Sequence, residues 1–197
     1  MNERKLSLGE KAKGFLGAPA NTFDSVEPES LASALRFFAI WAAIYAILQT
    51  VFFYVLGGGI LQTLWEWLGL GSAVVYSFNP VLYGLLSLVG ALGSLFISGS
   101  WAHLFVRAFG GRKGYETTIK AFAYGNTPLF LFGWIPFVGG LFSIWALVLN
   151  IIGIRQLHGV STGRAIGAVL LSYLALIVIV VLIVLFVVLR AVILAAA

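Results

Sequence analysis

The chain has 197 residues, of which 61% are hydrophobic and only 10% are charged, whereas a soluble domain carries about 25% charged residues. The mean hydropathy is +1.04, and several apolar runs reach the length of about 20 residues that crosses a bilayer. This composition excludes an ordinary soluble domain, and the absence of cysteine excludes disulfides and thiolate chemistry. We therefore expect an all-α, polytopic membrane helix bundle.

The N-terminal region is polar and mixed in charge. It lacks the apolar stretch of a signal peptide, so we expect no cleavage. We interpret residues 1–33 as a cytoplasmic, basic and amphipathic tail and residues 34–197 as a transmembrane domain. Within the tail, the segment that holds Lys11, Phe15 and Leu16 could lie on the surface of the cytoplasmic leaflet.

Five segments are predicted as transmembrane helices: residues 34–56, 81–106, 119–134, 137–154 and 165–189. The third and fourth cannot be one helix, because residues 119–154 would be about 54 Å long by helix rise, against a hydrocarbon core of about 30 Å. Pro136 and the Gly139–Gly140 pair interrupt this stretch. Residues 57–80 are apolar and rich in Trp but too short for another crossing, so we predict an interfacial segment after the first span.

The positions of the cations give the five spans a direction. With five spans, eleven of the twelve Lys and Arg residues fall on one side, whereas four or six spans would scatter them over both. By the positive-inside rule this side is cytoplasmic. We expect the N-terminus in the cytoplasm and the C-terminus outside, with Arg190 reaching the outer interface.

The third span contains an Asn-Thr-Pro step in apolar surroundings. Pro128 removes a backbone donor and disfavours helix at Thr127, and the carbonyls freed in this way must find partners in protein or water. We therefore predict a kinked third span, with Pro128 at the kink and Pro136 at the turn into the fourth span.

Polar side chains of three spans lie at a similar depth. By helix rise, His103, Asn126 and Asn150 each lie about 6–9 Å inward from the nearest cation of their own span. Intramembrane polar groups usually face a bundle interior or a wet cavity. The alternative is that they only join helices by hydrogen bonds. The candidate polar pocket consists of His103, Asn126, Thr127 and Asn150.

The cations of the cytoplasmic side form a candidate face for anionic lipid or for a partner. A cation near an anionic leaflet is worth about 1 kcal/mol. Two alternatives stay open: the cations only set the topology, or those in the last turn of the fourth span complement its helix dipole. The candidate residues are Arg107, Arg112, Lys113, Lys120, Arg155, His158 and Arg164.

The sequence pattern does not favour an enzyme or an ion-coupled transporter. Outside the tail the acidic residues are Glu66 and Glu116, both in predicted loops, whereas a proton- or sodium-coupled transporter normally has an acid within a span. There is no paired carboxylate for acid–base catalysis and no His/Asp/Glu cluster with metal spacing. We expect no enzymatic activity, no cofactor, no metal and no nucleic-acid partner.

Several motifs resemble the Yip1 domain family. "EKAKGFLGAPANTFDSV" looks like the segment before the first span of prokaryotic members. Residues 105–165 are similar to the family core, with a basic Gly-rich loop, a Tyr-Gly-x-x-Pro step, a Pro-x-x-Gly hairpin and the "HGxSxGRA" turn. The resemblance implies a five-span protein with a cytosolic N-terminus, and the short tail favours a prokaryotic cytoplasmic membrane.

The resemblance implies a class of function. Eukaryotic relatives are associated with Rab GTPases, vesicle trafficking and membrane shaping, and they carry an Asp-Leu-Tyr-Gly-Pro type motif that this chain lacks. Our leading interpretation is a non-enzymatic membrane-organising or adaptor protein that could hold a lipid. Its expected partners are membrane lipids and, as an option, a second copy or another membrane protein. The alternative is a channel or small-solute permease that uses the polar side chains found at similar depth near the cytoplasmic side, because interrupted helices line solute sites in transporters.

Overall fold

The computed structural model describes residues 6–56 and 79–196, which form helices joined by turns and contain no strand. The all-α class is therefore confirmed for this part of the chain. The predicted interfacial segment falls on residues 57–78, outside the described residues. The helices are α1 (Leu8–Gly17), α2 (Pro19–Val26), α3 (Leu31–Val51) with a π-helical turn at Phe52–Leu56, α4 (Pro80–Ala108), α5 (Tyr115–Gly125), α6 (Thr127–Phe132), α7 (Val138–His158) and α8 (Thr162–Ala196).

Four helices of the described residues are long and apolar enough to cross a membrane. The sequence predicted five spans, and the difference lies in residues 119–134. That stretch is divided between α5 and α6, and neither helix reaches the length of about 20 residues that a single crossing requires. The four candidate spans are Leu31–Tyr54, Pro80–Ala108, Val138–His158 and Thr162–Arg190.

Local capping sets the beginnings and ends of these long helices. Asn79 caps α4, where its side-chain oxygen accepts from the backbone N–H of Val81 at 2.8 Å, and Pro80 follows at the first position, where no donor is needed. Ser30 caps α3 by accepting from the N–H of Ser33. Gly159 ends α7 with a φ of 65°, a conformation that glycine adopts without strain.

The N-terminal helices α1 and α2 pack into the bundle. Phe15 and Phe23 are fully buried. Phe15 stacks on Tyr124 of α5 with ring centroids 5.3 Å apart, and Phe23 lies against Gly153 of α7. We predicted that Lys11 and Phe15 could lie on the leaflet, but both face the bundle, because the apolar side of α1 finds aromatic partners there.

Opposite ends of the bundle can be told apart by their contacts. At one end, where α4 and α7 finish and α5 and α8 begin, Lys113 pairs with Glu27 at 2.8 Å. We call this the basic end. At the other end, Gln49 near the end of α3 donates to the hydroxyl of Tyr83 in the first turns of α4 at 3.1 Å. Large apolar side chains are exposed at every position from Leu176 to Leu189 of α8, as expected of a helix in contact with lipid.

Candidate sites at the basic end of the bundle

A buried threonine joins the two histidines of the chain. The hydroxyl of Thr118 lies 2.8 Å from Nδ1 of His103 and 3.0 Å from Nε2 of His158. A hydroxyl can donate to one ring nitrogen and accept from the other, so this contact couples the tautomers of the two rings. Thr118 was not predicted from the sequence. His158 was predicted on the cationic face, but it is buried, with 6% of its surface exposed, because α5 packs over it.

Asn150 lies fully buried in the middle of α7. Its Nδ2 donates to the hydroxyl of Tyr173 at 3.4 Å, and its Oδ1 has no hydrogen-bond partner among the described residues. Gly125 at the end of α5 lies directly against this amide, and a Cβ at residue 125 would overlap it. The close approach of α5 to α7 therefore depends on glycine at this position.

The Asn-Thr-Pro step lies at the junction of α5 and α6. Asn126 is half-buried, and its backbone N–H donates to the carbonyl of Phe122 at 3.1 Å. Thr127 is buried, and its hydroxyl donates to the carbonyl of Tyr124 at 2.5 Å, so the side chain supplies a partner for this carbonyl. Pro128 stands in the first turn of α6. Pro136 lies in the turn between α6 and α7, where its carbonyl accepts from Val138 at 2.7 Å.

Of the four predicted polar side chains, His103 and Asn150 lie in two separate groups. His103 lies with Thr118 and His158, whereas Asn150 lies with Gly125 and Tyr173. Asn150 and His158 are on one helix and about 12 Å apart by helix rise. In the sequence, the depth of each side chain was estimated from the nearest cation of its own span. That estimate contains no information on how α5 is aligned with α7. In the structure, residue 118 lies beside residue 158 and residue 125 lies beside residue 150.

Glu29, just before α3, holds three helices together. Its carboxylate accepts from Nζ of Lys11 at 2.6 Å, from the hydroxyl of Tyr124 at 2.6 Å and from Oγ of Ser33 at 2.7 Å. Burial alone would raise the pKa of Glu29. The hydrogen bonds from Lys11, Tyr124 and Ser33 outweigh burial, so the pKa lies below its ordinary value of 4.5.

Two of the predicted cations are occupied by the tail. Lys113 pairs with the carboxylate of Glu27, and this hydrogen bond and charge lower the pKa of Glu27. Nζ of Lys120 donates to the backbone carbonyls of Glu27 at 2.7 Å and Glu29 at 2.5 Å. Both lysines therefore bind the segment that precedes α3.

The predicted arginines have weaker protein contacts. Arg155 donates from Nε to Gln156 at 3.2 Å. Arg107 is exposed and donates from Nη1 to the carbonyls of Gly111 and Arg112, both at 3.4 Å. Arg112 and Arg164 are exposed and line an open pocket of about 670 Å³ between the α4–α5 loop and the α7–α8 turn. The other lining residues are Ala108, Phe109, Gly110, His158, Gly159 and Val160.

The Yip1 domain family model matches residues 13–189, nearly the whole chain. The chain belongs to the Yip1 domain family. Comparison with curated proteins and with solved structures gave no significant match. The Yip1 family is one of non-enzymatic membrane proteins, and the four long apolar helices agree with a multi-pass membrane protein. Within residues 6–56 and 79–196, no group of His, Cys, Asp or Glu side chains could hold a metal ion.

Gly125 of this Yip1-domain protein provides a test of the contact between α5 and α7. We expect Gly125→Ala to lower the free energy of unfolding by about 1–2 kcal/mol, because the added Cβ overlaps the buried amide of Asn150. The matched control is Gly93→Ala in α4, where a Cβ meets nothing within 4 Å and alanine should be neutral or stabilising.

Thermal unfolding in detergent measures both effects. The double variant Gly125→Ala/Asn150→Ala should recover part of the loss seen with Gly125→Ala alone, since it removes the overlapping amide. Equal stability of Gly125→Ala and Gly93→Ala would mean that α5 and α7 do not approach as closely as the structure requires.

Proposed function

We propose that this protein crosses the membrane five times and that α5 and α6 together form the third crossing. These helices follow α3, a candidate span, along its length. At the basic end, Lys120 donates to the carbonyl of Glu29. At the other end, Trp134, just after α6, contacts Phe52 with ring centroids 6.2 Å apart. Between the ends, ring contacts join Tyr124 to Phe37 and Phe130 to Tyr45.

The lengths of α5 and α6 support a broken crossing. They contain eleven and six residues and, with Asn126 between them, extend about 27 Å by helix rise. This is close to the thickness of a hydrocarbon core of about 30 Å. The bonded carbonyl of Tyr124 fits such a crossing, because irregular backbone at membrane depth requires internal partners.

Five crossings define the sides of the membrane. They bring the tail, the α4–α5 loop and the α7–α8 turn to the basic end, and Arg190 is the one Lys or Arg of the described residues that lies toward the other end. By the positive-inside rule the basic end is cytoplasmic. We therefore propose a cytoplasmic N-terminus and an external C-terminus, in a prokaryotic cytoplasmic membrane.

For the function we propose a non-enzymatic, membrane-organising adaptor whose cytoplasmic face holds anionic lipid. The observation that carries this proposal is that some cations of the basic end are bound by the tail whereas others remain exposed. The tail engages Lys113 and Lys120, whereas Arg107, Arg112 and Arg164 stay exposed. Guanidinium groups suit phosphate, because their donors match two phosphate oxygens at once. A second copy or another membrane protein could use the same face.

A channel or permease is the second class of function, and no specific contact favours it over an adaptor. Such a protein needs a wet path past the polar groups of the third crossing. In the described part of the bundle, the rings of Phe15 and Phe37 lie against Tyr124 with centroid distances of 5.3 and 5.2 Å, and Phe23 lies against Phe15 at 4.8 Å. These fully or almost fully buried aromatic side chains make a packed interior the better description.

The adaptor proposal can be tested with the full chain in nanodiscs of mixed phosphatidylglycerol and phosphatidylcholine. Native mass spectrometry of the released protein should find retained phosphatidylglycerol in excess over its share of the bilayer. The triple variant Arg107→Gln/Arg112→Gln/Arg164→Gln should lose this excess, because each cation near an anionic headgroup contributes about 1 kcal/mol.

Arg190→Gln, at the opposite end of α8, is the matched control and should retain the excess. Retention of the two lipids in their bilayer ratio by the wild type would contradict a lipid-holding face. Solute flux through liposomes that contain the purified protein, above that of empty liposomes, would instead support the permease.

A further inference from the structure

The pocket at the basic end has a cationic and glycine-lined wall. Arg112 comes from the α4–α5 loop and Arg164 from the first turn of α8, and none of the described residues that line the pocket is acidic. Gly110 and Gly159 have positive φ angles of 92° and 65°. Glycine is the residue that adopts this conformation without strain, and the guanidinium of Arg164 lies close to Gly110.

His158, a buried histidine with one ring nitrogen that has no partner among the described residues, also lines the pocket. Nε2 of His158 is taken by Thr118 at 3.0 Å, whereas Nδ1 has no hydrogen-bond partner among the described residues. Nδ1 faces the α4–α5 loop at Gly111, next to Arg112. When Nε2 accepts from Thr118, Nδ1 carries the proton and becomes a donor. A buried donor without a partner is costly, and Gly111 of the loop separates this donor from the pocket.

The start of α8 adds to the positive potential. α8 begins at Thr162, two residues after Val160 of the pocket wall, and has 35 residues. The N-terminus of a helix carries a partial positive charge and unpaired N–H groups, which favour anions nearby. Two guanidinium groups therefore line the pocket, and the N-terminus of α8 and the buried imidazole of His158 lie beside it.

We propose that this pocket binds a phosphate monoester. Arg112 and Arg164 would supply charge-assisted hydrogen bonds, and a small movement of the loop at Gly111 would bring Nδ1 of His158 within reach of a third oxygen. A monoester is favoured over a diester because it carries more charge and a third terminal oxygen. That the phosphate belongs to a lipid headgroup rests on the proposed function, which brings this end to the cytoplasmic leaflet.

The test uses the full chain in nanodiscs that contain equal amounts of phosphatidic acid, a monoester, and phosphatidylglycerol, a diester. Native mass spectrometry should find phosphatidic acid retained about tenfold over phosphatidylglycerol. Arg112→Gln and Arg164→Gln should each reduce this ratio severalfold, since a hydrogen bond to a charged group is worth a factor of about ten or more. Arg155→Gln removes an equal charge outside the pocket and should keep the ratio.

Two further arms separate the sources of phosphate and the two proposals. Inorganic phosphate that displaces phosphatidic acid would assign the pocket to a soluble phosphate compound, and a lack of displacement would assign it to the lipid; both outcomes support a phosphate site. Equal retention of the two lipids, unchanged in all three variants, would overturn the pocket. The proposal of a cytoplasmic face that holds anionic lipid would remain supported after that result if the protein still retained anionic lipid in excess over phosphatidylcholine.

Discussion

Replacement of Phe15 by alanine is expected to lower the free energy of unfolding by about 3–5 kcal/mol. The side chain is fully buried, and its ring lies between those of Phe23, at 4.8 Å, and Tyr124, at 5.3 Å. Loss of the ring opens a cavity where α1, α2 and α5 meet. Thermal and denaturant unfolding in detergent would measure the loss.

The matched control for this variant is Lys13→Ala on the same helix. Lys13 is exposed, so its replacement should change stability by less than about 0.5 kcal/mol. If Phe15→Ala were as mild as Lys13→Ala, α1 would not be docked in the bundle, and the tail would lie elsewhere, for example on the leaflet.

Glu29→Gln is expected to cost about 1.5–3 kcal/mol, the range for hydrogen bonds to a charged group. The carboxylate accepts from Lys11, Ser33 and Tyr124, and the side chain of Lys11 is only 9% exposed, so the variant leaves a largely buried ammonium without its counter-charge. Glu27→Gln is the control, because its pair with Lys113 is solvent-exposed and such pairs are worth about 0–1 kcal/mol.

The same contact predicts a dependence on pH. The pKa of Glu29 is held below its ordinary value of 4.5, so its contribution to stability is complete above that pH and is lost as the pH falls through the lowered pKa of the folded state. The difference in unfolding free energy between wild type and Glu29→Gln should therefore be constant near neutral pH and shrink below about pH 4.5. A difference that does not change with acidification would contradict the role of the carboxylate.

Local signals in the sequence predicted part of this fold. Four of the five predicted spans are long apolar helices. The sequence could not predict whether α1 packs against the bundle or against lipid, because an amphipathic helix with Lys11 and Phe15 on one side can contact either.

Local sequence patterns did not identify Thr118 and Glu29, the two residues that join several helices by hydrogen bonds. Thr118 and Glu29 act through contacts between residues far apart in the chain, such as Thr118 with His158 and Glu29 with Tyr124. A lone threonine or glutamate has no spacing that indicates these partners. Pairing them required the register of α5 against α7 and the docking of α1, which only tertiary packing determines.

The third crossing decides whether Arg155 and Arg164 lie on the same side of the membrane as the tail and the α4–α5 loop, and the absence of cysteine from the chain allows a direct test. Gly114 and Gly140 stand before α5 and in the first turn of α7, both with open space for a side chain. Single Gly114→Cys and Gly140→Cys variants would be labelled with an impermeant maleimide in intact cells and in inverted vesicles. Five crossings predict labelling of residue 114 only from the cytoplasmic side and of residue 140 only from outside. Labelling of both from the same side would contradict the third crossing and, with it, the cytoplasmic lipid-holding face.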